Sequence, residues 1–268
     1  MNDAGQILIF DRVLLRARRD RAATNFVVHK VLFDEIGEQL RDRLAGIKED
    51  FRTILDLGAC DDALARHFAG KDAHVVATNF SAKMLRDVPG SAVAIDEEFL
   101  PFATGCFDLI VGNPGLHWVN DLPGALLQIK NALRPGGLFI AAIPGGSTLH
   151  ELRASLLEAE LLVTGGVSPR LSPVIDLPTI SGLMQRAGFV LPVTDREMLT
   201  LAYPDIFALM RDLRGMGESA VHHQRPRRPT RRRIFVEADR IYRERFALKD
   251  GSLPASFEIL FLHGRRPV

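Results

Sequence analysis

Chemistry is first suggested by "TILDLGACDDALARHF", Thr53 to Phe68. It has an apolar run, an acid at Asp56 and a glycine at Gly58, which is how a nucleotide-binding turn begins. Glycine there permits positive φ and lets a ligand approach the backbone, while the amides that start the next helix face it. Where two further glycines would complete the turn, the chain has Cys60, Asp61 and Asp62. A carboxylate at Asp61 or Asp62 suits the N-cap of the helix that follows, an interaction typically worth ~1 kcal/mol relative to alanine. Cys60 has the setting of an activated thiol at a helix N-terminus, although a small residue replacing glycine accounts for it more simply.

Further along, "VGNPGLHW" follows an apolar run and contains Asn113 and His117. A histidine can act as a base near neutral pH, but beside Trp118 it equally fits an aromatic packing role. His222 and His223 are adjacent, yet no Cys/His/carboxylate spacing completes a metal shell, so no metal is expected. "HHQRPRRPTRRR", His222 to Arg233, is the most basic segment. It can contact an acidic protein or an anionic membrane surface, or it can be a solvated loop leading into a helix. Without interleaved aromatic residues it gives no reason to expect nucleic acid. "RARRDRAA", from Arg16, reads as another solvated basic face.

These groups are positioned by alternating short strands and helices. "TILDLG", "AHVVATNF", "SAVAID", "CFDLIVGN" and "LFIAAIP" read as strands; "DDALARHFAG", "SAKMLRDV" and "LPGALLQIKNALRPGG" read as the helices between them. That grammar predicts βαβ units, a mostly parallel sheet and ligands at the carboxyl ends of the strands. Residues 1–50 form an N-terminal helical segment expected to pack on the core. Residues 51–268 are expected to be one domain, with a helical insertion at 145–180 and a C-terminal strand, "ASFEILFLHGRR", completing the sheet. The chain has 268 residues, a net charge of +1 and two cysteines, which fits a reducing cytoplasmic setting without a disulfide framework.

The ordered series from the acid–x–glycine loop through "VVATNF" and "AIDEEFLPF" to "FDLIV" resembles the class I S-adenosylmethionine-dependent methyltransferases. "RRDRAA", "DEEFLPF", "LHWVNDLPGAL", "GGSTLHELRASL", "YPDIFALMRDLRGMGES" and "DGSLPASFEI" resemble, more closely, the methyltransferase-fold assembly factors of respiratory complex I and their bacterial relatives. The resemblance implies a Rossmann-like α/β fold with a seven-stranded sheet and an antiparallel last strand. It also implies an S-adenosylmethionine-type site holding Asp56, Gly58, Cys60, Asn79, Phe80, Asp96, Glu97 and Asn113. In that site Asn79 stands where relatives use an acid for the ribose hydroxyls, and a neutral amide accepts more weakly than a carboxylate. Asp96 would accept from the adenine amino group, with Phe80 and Phe102 near the base. Asp61 or Asp62 would lie near the cofactor's carboxylate, where two anions disfavour each other. Asn113-Pro114 matches the start of an amine-methylation motif, so Asn113 and His117 are the catalytic candidates.

The family resemblance further implies modification, or assisted assembly, of a complex I subunit. Its mitochondrial member points to hydroxylation of a protein arginine in place of methylation. With Cys60, Asp62 and Asn79 departing from the pattern, the loop reads as a degraded cofactor site. Two alternatives follow: a non-catalytic assembly or binding factor, and a carboxyl methyltransferase of the biotin-pathway type. A protein partner, with peripheral contact at the inner face of a membrane, is expected in the first readings.

Overall fold

The computed structural model describes residues 8–112 and 114–268. Its helices are α1 (Arg12–Ala22), α2 (Phe26–His29), α3 (Val31–Ala45), α4 (Ala63–His67), α5 (Leu122–Ala132), α6 (His150–Thr164), α7 (Leu177–Arg186), α8 (Ile206–Gly215) and α9 (Arg232–Phe246). Its strands are β1 (Thr53–Leu57), β2 (His74–Asn79), β3 (Ser91–Ala94), β4 (Phe107–Gly112), β5 (Leu133–Pro144), β6 (Val190–Tyr203) and β7 (Leu253–Arg265). They form one seven-stranded sheet in the order β3-β2-β1-β4-β5-β7-β6. The β1–β2, β1–β4, β2–β3 and β4–β5 pairs are parallel, and β7 runs antiparallel to β5. The expected fold class is the one observed.

The chain forms two compact units. The first comprises Lys30–Gly145, Ile175–Glu197 and Ile259–Val268. Its core is built on β1, β4 and β5, whose near-continuous apolar runs suit strands covered on both faces. Amphipathic α3 buries Leu32, Ile36, Leu40 and Leu44, one residue per turn along a single stripe. The Asp121 carboxylate caps α5 by accepting from the Gly124 N–H at 2.9 Å, with Pro123 in the first turn, where its missing N–H costs nothing.

Three local expectations need correction. "SAKMLRDV" is a series of turns, not a helix. Its backbone bonds run from Met84 to Ser81, Arg86 to Lys83 and Val88 to Leu85, and Pro89-Gly90 stops the run before an α-helix can propagate. The helix before β5 ends at Ala132, and the Pro-Gly-Gly expected to close it already belongs to the strand. Finally, α4 is only five residues long; Asp62 occupies its N-cap position without a side-chain capping bond, and Asp61 instead accepts from the Ala63 N–H at 2.9 Å.

The second unit comprises Met1–His29, Gly146–Val174 and Met198–Glu258. Here α6 packs extensively against α9, and α8 packs against α1, α2 and α9. Asp11 caps α1 and Asp205 caps α8, each by accepting from an N–H three residues on. Asp212 is the polar hub of this unit. It accepts from the Tyr203 hydroxyl at 2.6 Å and meets His29 Nδ1 at 2.6 Å. Burial, then the neighbouring Asp212 carboxylate, pushes the Tyr203 hydroxyl pKa up, which keeps it a hydrogen-bond donor. No described helix is long and apolar enough to cross a membrane.

Candidate functional site

Strand register brings the predicted residues together. Leu57 at the end of β1 lies opposite Thr78 of β2 and Gly112 of β4. Asn79 in turn lies opposite Ala94, so Asp96 follows two residues beyond β3. Asp56, Gly58, Cys60, Asn79, Phe80, Asp96 and Glu97 therefore sit along one end of the sheet. Asn113, expected both as a cofactor contact and as a catalytic residue, lies outside the described residues.

The loop after β1 is tied to β2 by bonds specific to these side chains. Gly58 and Ala59 both donate their N–H groups to the Thr78 carbonyl, at 2.9 and 2.8 Å. Gly58 has φ 93°, a conformation that a β-carbon would strain. Neither Cys60 nor Asp62 needs the same freedom: Asp62 has φ −99°, and Cys60 is not among the described positive-φ residues. Replacing those two glycines has thus left an ordinary backbone path. Asn79 is buried and uses both ends of its amide. Its Nδ2 donates to the Ala59 carbonyl at 2.8 Å, and its Oδ1 accepts from the Ser81 N–H at 2.9 Å. The amide is therefore a strut between loop and strand, with one lone pair on Oδ1 left for a further donor.

Both loop aspartates are paired. Asp61 Oδ2 accepts from Lys30 Nζ at 2.9 Å, and the same ammonium reaches Asp34 of α3 at 2.8 Å. Burial works against the Asp61 charge, but Lys30 and the Ala63 N–H outweigh it and hold the carboxyl pKa below its ordinary value. Its two carboxylate partners raise the Lys30 pKa. Asp62 meets Arg66 one turn along α4. The Lys30–Asp34 spacing is visible locally, but the link from Lys30 to Asp61 is not, because it spans 31 positions.

Cys60 is half-buried. With Asp56, Asp61, Phe33, Gly37 and Val111 it lines a cavity of about 30 Å³, room for a single water. Burial, then the Asp61 and Asp56 carboxylates, raises its thiol pKa well above the usual range. The thiol is therefore held protonated, which is the reverse of an activated nucleophile.

At the β3 end, Asp96 Oδ1 accepts from the Glu98 N–H at 2.9 Å, closing a tight turn. Gln128 of α5 clamps the segment from both sides, donating to the Glu98 carbonyl at 2.8 Å and accepting from the Leu100 N–H at 2.9 Å. Glu98 Oε1 receives both the backbone and side-chain N–H groups of Asn120, at 2.6 and 3.0 Å. Glu97 beside it is almost fully buried. Sequence reasoning passed over Glu98, Asn120 and Gln128, which fix where Asp96 stands. Phe80 is buried, while Phe102 packs edge-on against Phe107 with centroids 5.0 Å apart. His117 lies in a 3₁₀ turn, Leu116–Trp118, its ring tilted on Trp118 at 4.6 Å. Among the described residues no group of three His, Cys, Asp or Glu side chains is arranged to hold a metal ion.

A parallel sheet closed by an antiparallel β7, with polar groups gathered beyond β1, β2 and β3, defines a Rossmann-like class I methyltransferase fold. A family model for a methyltransferase domain matches residues 55–141. The mitochondrial arginine-hydroxylase NDUFAF5 of Danio rerio is 38% identical over 267 residues, covering 97% of this chain and 83% of its own. The malonyl-[acyl-carrier protein] O-methyltransferase of Xylella fastidiosa (strain M23) is 31% identical over 264 residues, covering 94% of this chain and 87% of its own. Among solved structures, the phosphoethanolamine N-methyltransferase 2 of Haemonchus contortus, in complex with S-adenosyl-L-methionine, superimposes with a TM-score of 0.58 at 14% identity. That alignment covers 95% of this chain and 60% of the other. The chain belongs to the family of methyltransferase-fold proteins that includes NDUFAF5.

Proposed function

We propose that this protein is a complex I assembly factor of the NDUFAF5 kind, acting on a protein partner through an altered but intact S-adenosylmethionine-type site. The observation that supports an intact site is the pairing of the loop acids: Asp61 is paired with Lys30 and Asp62 with Arg66. Two free carboxylates would repel an anionic ligand group; Lys30, which Asp61 shares with Asp34, and Arg66 offset part of that charge and leave an excess of one carboxylate among the three. Gly58 would admit the ligand to the backbone, Asp96 and the free lone pair of Asn79 would accept its hydroxyl or amino hydrogens, and Phe80 would border the base. The bound cofactor would supply a methyl group; this chain supplies position and charge balance around it. The relatives' name, arginine-hydroxylase, suggests a second reading: insertion of one oxygen atom from dioxygen into an arginine of the partner, with two electrons from an external donor and the other oxygen leaving as water.

Titration calorimetry of the purified protein with S-adenosylmethionine tests the site, after nucleoside carried through purification has been removed. Micromolar binding is expected. Absence of heat at millimolar ligand would overturn the intact site and favour the non-catalytic assembly factor. The partner is tested by affinity capture from native membranes under mild conditions, followed by mass analysis of the recovered complex I subunits. Arginines heavier by one oxygen, or by one methylene, distinguish hydroxylation from methylation. Recovery of no complex I subunit would count against the assembly role.

A further inference from the structure

The second unit contains a cavity of about 320 Å³ that the cofactor reading does not use. Five arginines line it: Arg18 and Arg21 from α1, Arg170 before α7, Arg214 from α8, and Arg225 in the basic loop. Two are held by acids, Arg170 by Glu160 and Arg225 by Asp11 at 3.3 Å. Arg18 donates to the Ala220 carbonyl, so it is oriented without being neutralised. Neither Arg21 nor Arg214 has an ion pair or side-chain hydrogen bond among the described residues. Among the described residues Glu218 is the one carboxylate in the lining. Among the described residues five positive charges thus face three carboxylates, counting Glu160 and Asp11, which leaves an excess of two. Like charges gathered this way oppose folding unless something compensates them. The strain registers on Arg18, whose pKa is lowered first by burial and then by Arg225, Arg21 and Arg214.

The remaining wall is apolar, formed by Leu156, Leu171, Met210, Leu213 and Phe235. The volume falls at the lower end of small-molecule sites, roughly 300–1,000 Å³. Arginine forks match phosphate oxygens in pairs, and an excess of two charges matches a dianion better than a single carboxylate. An arginine side chain of a protein substrate would meet only repulsion here, so the cavity is not suited to the acceptor proposed above. We propose that it binds a phosphate monoester carrying a short apolar group, with Arg21 and Arg214 as the principal phosphate ligands.

The test is calorimetry and thermal melting of the full chain with inorganic phosphate and with hexyl phosphate. Hexyl phosphate should bind at least tenfold more tightly than inorganic phosphate, because only it also fills the apolar wall. The double variant Arg21→Gln/Arg214→Gln should lose at least tenfold in affinity for both. Its melting temperature without ligand should be unchanged or raised, since the substitutions relieve repulsion and break no internal bond. Arg86→Gln, an exposed change in the other unit, should leave binding unaltered. Equal binding by the wild type and the double variant, an equal loss in Arg86→Gln, or no binding of either phosphate at millimolar concentration would overturn the proposal. Sedimentation with phosphatidylcholine vesicles, with and without phosphatidic acid, separates the two sources of such a group. Phosphatidic-acid-dependent pelleting that the double variant abolishes identifies a lipid headgroup. Hexyl phosphate binding without pelleting identifies a soluble ester.

Discussion

Restoring the missing acid by Asn79→Asp looks like the natural repair of the cofactor site, and the structure says it should destabilise the protein. Asn79 Nδ2 donates to the Ala59 carbonyl at 2.8 Å, and the residue exposes only 3% of its surface. A carboxylate in its place sets an acceptor against an acceptor and leaves that carbonyl without its donor. An unsatisfied buried carbonyl costs about 1–3 kcal/mol, and a buried charge adds to it, so about 3 kcal/mol is expected above neutral pH. A protonated acid escapes the penalty, because its O–H donates to Ala59 while its carbonyl accepts from Ser81. The penalty falls on the charged form alone, so folding raises the new carboxyl pKa above its unfolded value of about 3.9. A pKa raised by folding means the folded state binds the proton more tightly. The variant should therefore approach wild-type stability below about pH 4 and lose ground as pH rises through the raised folded value. Urea unfolding followed by circular dichroism across that range measures the gap. A variant as stable as wild type at about pH 8, or a gap that does not change with pH, would refute the strut.

Three further outcomes follow from the described contacts. Glu160 accepts from Ser168 N at 2.9 Å, from Ser168 Oγ at 2.6 Å and from Arg170. Burial opposes its charge, yet Arg170 and Ser168 hold its pKa below the ordinary value, so its contribution is present above about pH 4.5 and fades as pH falls through the depressed value. Glu160→Gln should cost about 3 kcal/mol at neutral pH and less in acid, read from urea midpoints at both. At Gly215 a β-carbon would stand 2.1 Å from His29 Cδ2. Gly215→Ala should push the imidazole off Asp212 and destabilise by about 1–3 kcal/mol, beating the gain of at most ~1 kcal/mol from helix propensity. A variant more stable than wild type would show that propensity wins. Cys60 should react with iodoacetamide near neutral pH at least tenfold more slowly than a free cysteine, its thiol pKa being raised. Mass analysis of the labelled peptide at timed points decides it.

Much of the fold was legible because β1, β2, β4 and β5 are apolar runs that stop at a glycine or a polar residue, and helices such as α3 carry a single apolar stripe. Local pattern failed where length was marginal: "SAKMLRDV" has helix-forming residues but only enough of them for turns before Pro89. The candidate site was legible as a set of positions, since strand ends and their terminal polar residues are local features. What those residues do was not. That Asn79 braces Ala59 depends on strand register, and that Asp61 is paired depends on Lys30 from another element. "RARRDRAA" reads as a solvated face because nothing local shows that Arg18 and Arg21 share a cavity with Arg225, some 200 positions on.

The place of β7 bears on how the molecule is made. It lies between β5 and β6, so β6 has no neighbour in the sheet until the last strand in chain order arrives. During synthesis β6 must wait as an open edge while β1 to β5 can already pair. Such a waiting edge invites pairing with other chains, and its protection rests on how soon β7 leaves the ribosome. The exposed charges Asp195, Arg196 and Glu197 in the middle of β6 suit that interval, keeping a nascent strand in water until its partner is available.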